Sequence, residues 1–213
     1  MTATKATAKT RATTGGRRHY HHGDLRRSLL DAAMAMIREA GIDGLSMRRL
    51  ADRVGVSRTA PYHHFADKHS LLCALAEEGF QRQARQRMFT DDSLAFEERF
   101  SRFVSGYIRF AMENPQYYDL MFGRDIWKAG QPTESLKREA YGSFRRYAGL
   151  IGDWQRDGLL PDDMDAVRFA QVSWSMLHGL SRLLIDGIYV DSEAMEGMCQ
   201  MAARVLLSNF NRR

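Results

Sequence analysis

The stretch from residue 46 to residue 65 constrains the fold more than any other part of the chain. Its first apolar residues recur at helical spacing, at Met47, Leu50, Ala51 and Val54. Ser46 is a residue type that caps helix N-termini, and Gly55 can adopt the left-handed conformation that ends a helix. Ser57 is placed to cap a second short helix. The pattern therefore predicts two short helices joined by a tight turn, which is a helix-turn-helix.

The second helix of this pair carries polar side chains where DNA contact would need them. In a helix-turn-helix the N-terminal side chains of the second helix reach base edges in the major groove. Arg58 and Thr59 occupy that position, while Tyr62 and His63 follow one turn later, where hydroxyl and imidazole groups suit phosphate oxygens. The alternative is an ordinary helical hairpin with a solvated polar face.

The surrounding residues resemble a known family. Residues 45–51, 55–57 and 62–65, together with Lys68, are similar to the N-terminal domain of TetR-type transcriptional regulators. The resemblance covers about residues 23–83. It implies an all-helical homodimer that binds a palindromic operator, usually as a repressor, and releases it when a small molecule enters the C-terminal domain.

One residue departs from that family pattern. Pro61 stands where the family more often has leucine, and it lacks a backbone donor and disfavours helical angles at Ala60. We therefore expect the first turn of the second helix to deviate from regular geometry.

The resemblance and the residue chemistry together predict a DNA-binding surface. We expect Arg58 and Thr59 to read bases and Lys68 to contact a phosphate, with a solvated lysine as the alternative; Arg48 could do either. The predicted surface consists of Arg48, Ser57, Arg58, Thr59, Ala60, Tyr62, His63, His64 and Lys68.

Charge supports this reading modestly. The 213 residues carry a formal net charge of +5, and basic residues crowd the N-terminal end, which permits a polyanionic partner. Residues 1–22 are poor in apolar residues and predict a disordered basic arm. Such an arm can touch DNA or remain a solvated tail.

The chain has no feature of a membrane or secreted protein. No apolar run has the length of a membrane span, and the N-terminus has no apolar signal core. We therefore expect a cytoplasmic protein. Cys73 and Cys199 lie in helical patterns and predict buried thiols, with redox sensing as the alternative.

Helical spacing continues through residues 84–213, which we predict to be an effector-binding and dimerisation domain. The expected fold is all-α, with an N-terminal three-helix DNA-binding domain at residues 23–83, whose first helix Asp24 would cap, and a C-terminal helical bundle. Aromatic-lined spaces between helices suit apolar or planar ligands. The predicted effector pocket contains Phe103, Tyr107, Tyr118, Met121, Phe122, Trp127, Tyr147, Trp174 and His178.

For these residues the alternative is plain core, and for His178 it is a core histidine bonded to a backbone carbonyl. The last two predicted helices also carry narrow seams with three- and four-residue steps, which favour helix pairing. We expect them to build a dimer interface, with intrachain packing as the alternative. The predicted interface contains Val167, Ala170, Trp174, Leu177, Ser181, Leu184, Met195, Cys199, Ala202 and Leu206.

The segment 174–179 is similar to a Trp-His-Gly motif of one TetR subgroup. The sequence has no Gly-rich phosphate loop, no metal-ligand spacing and no fixed-period repeat, so we expect no enzyme, cofactor or metal site. The predicted function is a sequence-specific DNA-binding transcriptional regulator, namely a repressor that a small apolar or aromatic effector releases from a palindromic operator. The alternatives are a regulator that needs a co-ligand to bind DNA, and a helical ligand-binding or interaction protein with a degenerate DNA head.

Overall fold

The computed structural model describes residues 22–86, 93–189 and 195–208. This part of the chain is all helical and has no strand, which confirms the predicted fold class. The eight α-helices are α1 (His22–Ala40), α2 (Met47–Val54), α3 (Lys68–Arg85), α4 (Phe96–Glu113), α5 (Pro115–Phe122), α6 (Glu134–Arg156), α7 (Ala166–Ile185) and α8 (Met195–Leu207). None of the described helices is long and apolar enough to cross a membrane. The predicted basic arm lies outside the described residues, except for His22.

Helices α1, α2 and the start of α3 form the N-terminal head. The Ser46 hydroxyl accepts the backbone N–H of Arg49 (3.3 Å), and Gly55 ends α2 with a φ of 76°. Both predicted ends of α2 are thus confirmed. Asp24, however, lies inside α1 instead of capping it, because the helix already includes His22. The apolar faces of the three helices share one core: Leu29, Leu30, Ala33, Ile37, Leu50, Phe65, Leu71 and Leu75 are buried.

Helix α3 belongs to both the head and the C-terminal body. It begins at a capping box in which Asp67 Oδ1 accepts the Ser70 N–H (2.7 Å) and the Ser70 hydroxyl accepts the Asp67 N–H (3.1 Å). It packs on α1 of the head and on α5 and α6 of the body. The predicted domain boundary after residue 83 lies within the last turn of this unbroken helix.

The body is organised around α4, which contacts α5, α7 and α8. The predicted stripe of α4 is buried from Phe100 to Ala111, and α6 packs against both α3 and α7. The apolar face of α8 packs mainly on α4, which places Cys199 in the core. Both cysteines are free and buried, and burial raises the pKa of each thiol.

A buried carboxylate joins the head to the body. Glu78 of α3 is only 6% exposed, and its Oε1 accepts hydrogen bonds from Arg27 of α1 (2.9 Å) and Arg82 of α3 (Nε, 2.8 Å). The Arg82 guanidinium lies 4.7 Å from the ring centroid of Tyr117 in α5. Two cations compensate the one buried anion and so offset part of the free-energy cost of removing it from water. The cluster therefore links α1, α3 and α5.

We predict that Glu78→Gln lowers the free energy of unfolding by about 1–3 kcal/mol, because it removes the anion that both arginines share while those arginines can still reach water. The matched control is Glu98→Gln, which removes an exposed pair with Arg102 (2.9 Å) and should cost under about 1 kcal/mol. Urea unfolding at one protein concentration measures both. Equal effects of the two substitutions would contradict a special role for Glu78.

Candidate functional site

The second element of the helix-turn-helix is shorter than predicted. It is a 3-10 helix at Ala60–His63, preceded by a turn in which the Ala60 N–H donates to the Ser57 carbonyl (3.0 Å). Pro61 has no N–H and cannot make the next α-helical bond to that carbonyl. The expected irregularity at Pro61 is therefore observed. We had expected Ser57 to cap a helix, but it does not. Its hydroxyl instead lies 3.1 Å from the hydroxyl of Thr59.

One side of this segment packs on the head, and the other side faces solvent. Pro61 and Phe65 are buried in the head, and the Arg26 guanidinium lies 5.4 Å from the Phe65 ring centroid. The residues between them point outward, and Tyr62 is 53% exposed. Of the predicted DNA-binding residues, Arg48, Ser57, Arg58, Thr59, Tyr62 and His63 are exposed, whereas Ala60, His64 and Lys68 are half-buried.

Some basic side chains of the head are already hydrogen-bonded within the chain, whereas others are free to bind a partner. Arg53 forms two bonds of 2.6 Å with Glu39, which lowers the pKa of that carboxyl group, and Arg49 donates to the Gly44 carbonyl (2.8 Å). Arg48 and Arg58, in contrast, have no hydrogen bond or ion pair with any residue that the structure describes. Both guanidinium groups are therefore available to a partner.

Lys68 already makes a hydrogen bond within the chain, which the sequence analysis did not predict. Its Nζ donates to the Ile42 carbonyl at 2.7 Å, so it links the turn after α1 to the first residue of α3. An ammonium group has three donors, so this bond leaves two for a phosphate.

A cavity of about 770 Å³ lies within the body, between α3, α4, α6 and α7. Seven of the nine predicted pocket residues line it: Phe103, Tyr107, Phe122, Trp127, Tyr147, Trp174 and His178. The other two lie behind the wall. Tyr118 is fully buried behind His178, and Met121 packs against Gly79 of α3, where an added Cβ would come within 2.7 Å of the Met121 side chain.

The sequence analysis missed the α3 wall of this cavity and all of the α6 wall except Tyr147. Helix α3 contributes residues at helical spacing that continue its buried stripe, and α6 supplies the opposite wall. These additional lining residues are Phe80, Gln83, Ala84, Gln86, Ala140, Tyr141, Ser143, Phe144, Arg145, Arg146 and Leu150. The i, i+3, i+4 spacing of Phe80, Gln83 and Ala84 is the signal that could have found the first wall.

A chain of hydrogen bonds runs along one wall of the cavity. The Trp174 indole N–H donates to the Tyr107 hydroxyl (2.9 Å), the hydroxyls of Tyr107 and Tyr118 are 3.1 Å apart, and the Tyr118 hydroxyl lies 2.8 Å from Nδ1 of His178. Burial raises the pKa of Tyr118 to about 12 and that of Tyr107 well above its ordinary value. Both hydroxyls therefore stay protonated at neutral pH.

His178 is bonded to a side chain rather than to a backbone carbonyl, which corrects the alternative that we considered. Burial lowers its pKa from 6.5, and the charge of Arg182 one turn later acts in the same direction. The imidazole is therefore neutral at pH 7.

Comparisons with known proteins identify the family of this chain. The family described as "Bacterial regulatory proteins, tetR family" matches residues 29–75, which cover the helix-turn-helix, and "Tetracyclin repressor-like, C-terminal domain" matches residues 100–206, which is half of the chain. The chain belongs to the TetR family. Membership of the Trp-His-Gly subgroup stays a prediction.

Individual relatives resemble this TetR-family chain mainly in the head. The HTH-type transcriptional repressor Rv1474c of Mycobacterium tuberculosis is 44% identical over 64 residues, which are 30% of this chain and 34% of that protein. The tetracycline repressor class A from transposon 1721 of Escherichia coli is 48% identical over 50 residues, 24% of this chain and 23% of the repressor. The chain thus matches about a third or less of the length of these relatives.

A solved structure resembles nearly the whole chain. A protein of unknown function from Rhodococcus sp. RHA1 aligns with a TM-score of 0.79 at 29% identity, covering 92% of this chain and 100% of that one. The order of helices from head to body is therefore shared with an experimentally solved protein.

The predicted dimer residues lie mostly inside the single TetR-family chain. Trp174 lines the cavity, Met195 is half-buried and Val167 is exposed, while the others are buried: Ala170, Leu177, Ser181, Leu184, Cys199, Ala202 and Leu206. The α7 seam packs on α4 and α6, and the α8 seam packs on α4. This is the intrachain alternative for the buried residues, whereas Val167 stays open to contact with another copy.

The outer sides of the last two helices also expose apolar side chains. Val172 of α7 is 64% exposed, and Met201 and Val205 of α8 are 53% and 48% exposed. Ile188 and Tyr189, directly after α7, are also exposed. We call Val167, Val172, Met201 and Val205 the outer apolar face.

We predict that His178 makes stability depend on pH. Its folded-state pKa is lowered, so the unfolded chain binds more protons below about pH 6.5, and folding stability should fall as the pH drops through that value. His178→Gln removes this contribution. The melting temperature should therefore fall less between pH 7.5 and pH 5.5 in the variant than in the wild type, since the other histidines are common to both proteins. Parallel pH profiles would refute the prediction.

Proposed function

We propose that this chain is a sequence-specific transcriptional repressor that binds a palindromic operator as a homodimer and leaves it when a small apolar or aromatic effector binds. One observation carries the proposal. The same continuous helix, α3, begins four residues after the exposed 3-10 helix and ends in the wall of the cavity at Phe80, Gln83 and Ala84. A single rigid element therefore connects the two candidate sites.

The chemistry of the exposed face supports double-stranded DNA as the partner. Arg58 and Thr59 lie in the turn ahead of the 3-10 helix, where a guanidinium can make the bidentate contact to guanine that is common in major grooves. Arg48 adds a second available cation. Tyr62, His63, His64 and Lys68 are proposed to position the backbone through phosphate contacts, while Ser57 and Ala60 allow close approach.

A homodimer would supply the second head that a palindrome needs. Two recognition segments related by a two-fold axis read half-sites about 34–36 Å apart on one side of the duplex. The outer apolar face supports such pairing because exposed valine and methionine side chains on two adjacent helices would gain by burial. We therefore move the proposed interface from the buried seams to Val167, Val172, Met201 and Val205. A protein that acts on DNA in this way works in the cytoplasm.

Effector release follows from the geometry of α3. A ligand between α3 and α7 would favour the α3 orientation that suits its contacts, and the Glu78 cluster would carry that orientation to α1. A small rotation of α3 changes the separation of the two heads, which weakens both half-site contacts together.

The first experiment is selection of bound duplexes from a random DNA pool by the purified full chain at physiological salt. The proposal predicts enrichment of an inverted repeat. If folded protein enriches nothing without additives but does so with cell-extracted small molecules, a co-ligand regulator replaces the repressor. If it enriches nothing in either case, the head is degenerate and the chain is a ligand-binding or interaction protein.

Substitutions in the head should separate base reading from phosphate contact. We predict that Arg58→Ala weakens binding to the selected operator by about 1–3 kcal/mol and relaxes specificity at one position per half-site. Lys68→Ala should weaken all duplexes alike and reduce the salt dependence of binding. Arg102→Ala, on α4 of the body, is the control that should leave both properties unchanged. Titrations against operator and scrambled duplexes at several salt concentrations measure them, and an equal loss on both duplexes with Arg58→Ala would contradict base readout.

A further inference from the structure

The cavity contains a donor whose direction is fixed by its surroundings. We propose that His178 recognises the effector by donating its Nε2 proton to an oxygen acceptor on a planar apolar ligand that is neutral or anionic. This inference rests on the proposed role of the cavity as the effector site and adds the chemistry of the ligand.

The direction of the hydrogen-bond chain follows from its first member. An indole N–H can only donate, so the Tyr107 oxygen accepts from Trp174. The Tyr107 proton then needs an acceptor, and among the described residues the Tyr118 oxygen at 3.1 Å is the one in contact. A buried hydroxyl proton without an acceptor would be costly.

The direction continues to the imidazole. Tyr118 accepts from Tyr107 and therefore donates its own proton to Nδ1 of His178 at 2.8 Å. The two rings are nearly parallel, with centroids 5.4 Å apart. A neutral imidazole that accepts at Nδ1 carries its proton on Nε2. No described residue accepts from Nε2, and His178 lines the cavity, so this N–H is available to a ligand.

The rings and charges that line the cavity limit which ligands can bind there. Phe122 and Trp174 surround the imidazole with ring centroids 4.8 Å and 5.9 Å away, so the acceptor must belong to a largely apolar, ring-like body. The lining contains Arg145 and Arg146 and no aspartate or glutamate. Arg146 is paired with Glu139 outside the lining (4.0 Å), whereas Arg145 has no ion pair with any described residue. A cationic ligand would therefore meet the positive charge of Arg145, which a carbonyl or carboxylate group would tolerate.

Two isosteric probes test the donor directly. 2-Acetylnaphthalene and 2-isopropenylnaphthalene differ in shape only by exchange of a carbonyl oxygen for a methylene group. Calorimetric titration of the full chain without DNA should show about fivefold tighter binding of the ketone, which corresponds to one net hydrogen bond. 2-Naphthoate should bind at least as tightly as the ketone, and 1-(2-naphthyl)ethylammonium should bind most weakly of the four.

Variants assign the preference to His178. His178→Phe should abolish the preference for the ketone while the alkene still binds, and His178→Gln, which keeps a donor, should retain it. Tyr118→Phe should reduce the preference, because Tyr118 acts as a positioning residue that holds the tautomer. Each variant is first shown to melt cooperatively, so that a change in preference is read only from folded protein.

Three results would overturn the proposal: equal affinities of ketone and alkene in the wild type, a preference that survives in His178→Phe, or no binding of either probe up to its solubility. DNA selection is performed without any probe. Its success alongside a failed probe experiment would therefore reject only the inference about His178, and its failure would reject the proposed repressor.

Discussion

The Glu78 carboxylate is the interaction on which the relation between head and body depends. Side chains from α1 and α3 donate to it, and one of those donors, Arg82, also covers Tyr117 of α5. A buried anion cannot slide freely, because it must keep its cationic partners or bear the cost of desolvation. The head is consequently held to α3 by a polar contact with a defined geometry, in addition to the non-directional apolar core.

Helix α3 is long enough to make that contact useful. Its 18 residues span about 27 Å, from the capping box at Asp67 to the cavity wall at Gln83. Close packing fixes its side against the body, since Gly79 leaves room for Met121 and no larger residue would fit without displacement. We propose that such a helix tilts as a unit when the cavity changes, which is the motion that a helix-turn-helix dimer would convert into a change of half-site spacing.

Sequence patterns predicted the parts of this fold that depend on local periodicity. The apolar stripe of α2 and the helix ends at Ser46 and Gly55 follow from residue type and spacing alone. The length of the second helix-turn-helix element did not, because one proline changed its hydrogen bonding from α-helical to 3-10. The hydrogen bond of Lys68 was not predicted either, because its acceptor is a carbonyl group 26 residues away in the sequence.

The cavity and the dimer surface show a different limit. An apolar stripe indicates that another element packs on that face of the helix, but it does not indicate which element. On α7 and α8 the regular seams proved to pack within the chain, whereas the exposed residues Val172 and Met201 lie off those seams. For the cavity, seven of the predicted effector residues form part of the lining, yet the α3 wall and most of the α6 wall were missed. Which helices surround a space is decided by tertiary packing and leaves no local periodic signal.

The position of the aromatic rings explains how a ligand could act on α3. Phe80 of α3 makes an edge-to-face contact with Phe122 of α5, at 5.5 Å between centroids, and Phe122 in turn contacts both His178 and Trp174 of α7. A molecule bonded to His178 and packed on Phe80 would thus depend on the distance between α7 and α3. A ligand shifts a conformational equilibrium only by the difference between its affinities for the two states, and about 1.4 kcal/mol changes the ratio tenfold. The polar bond to α7 fixes one end of the ligand, so that its apolar contacts with α3 can supply that difference.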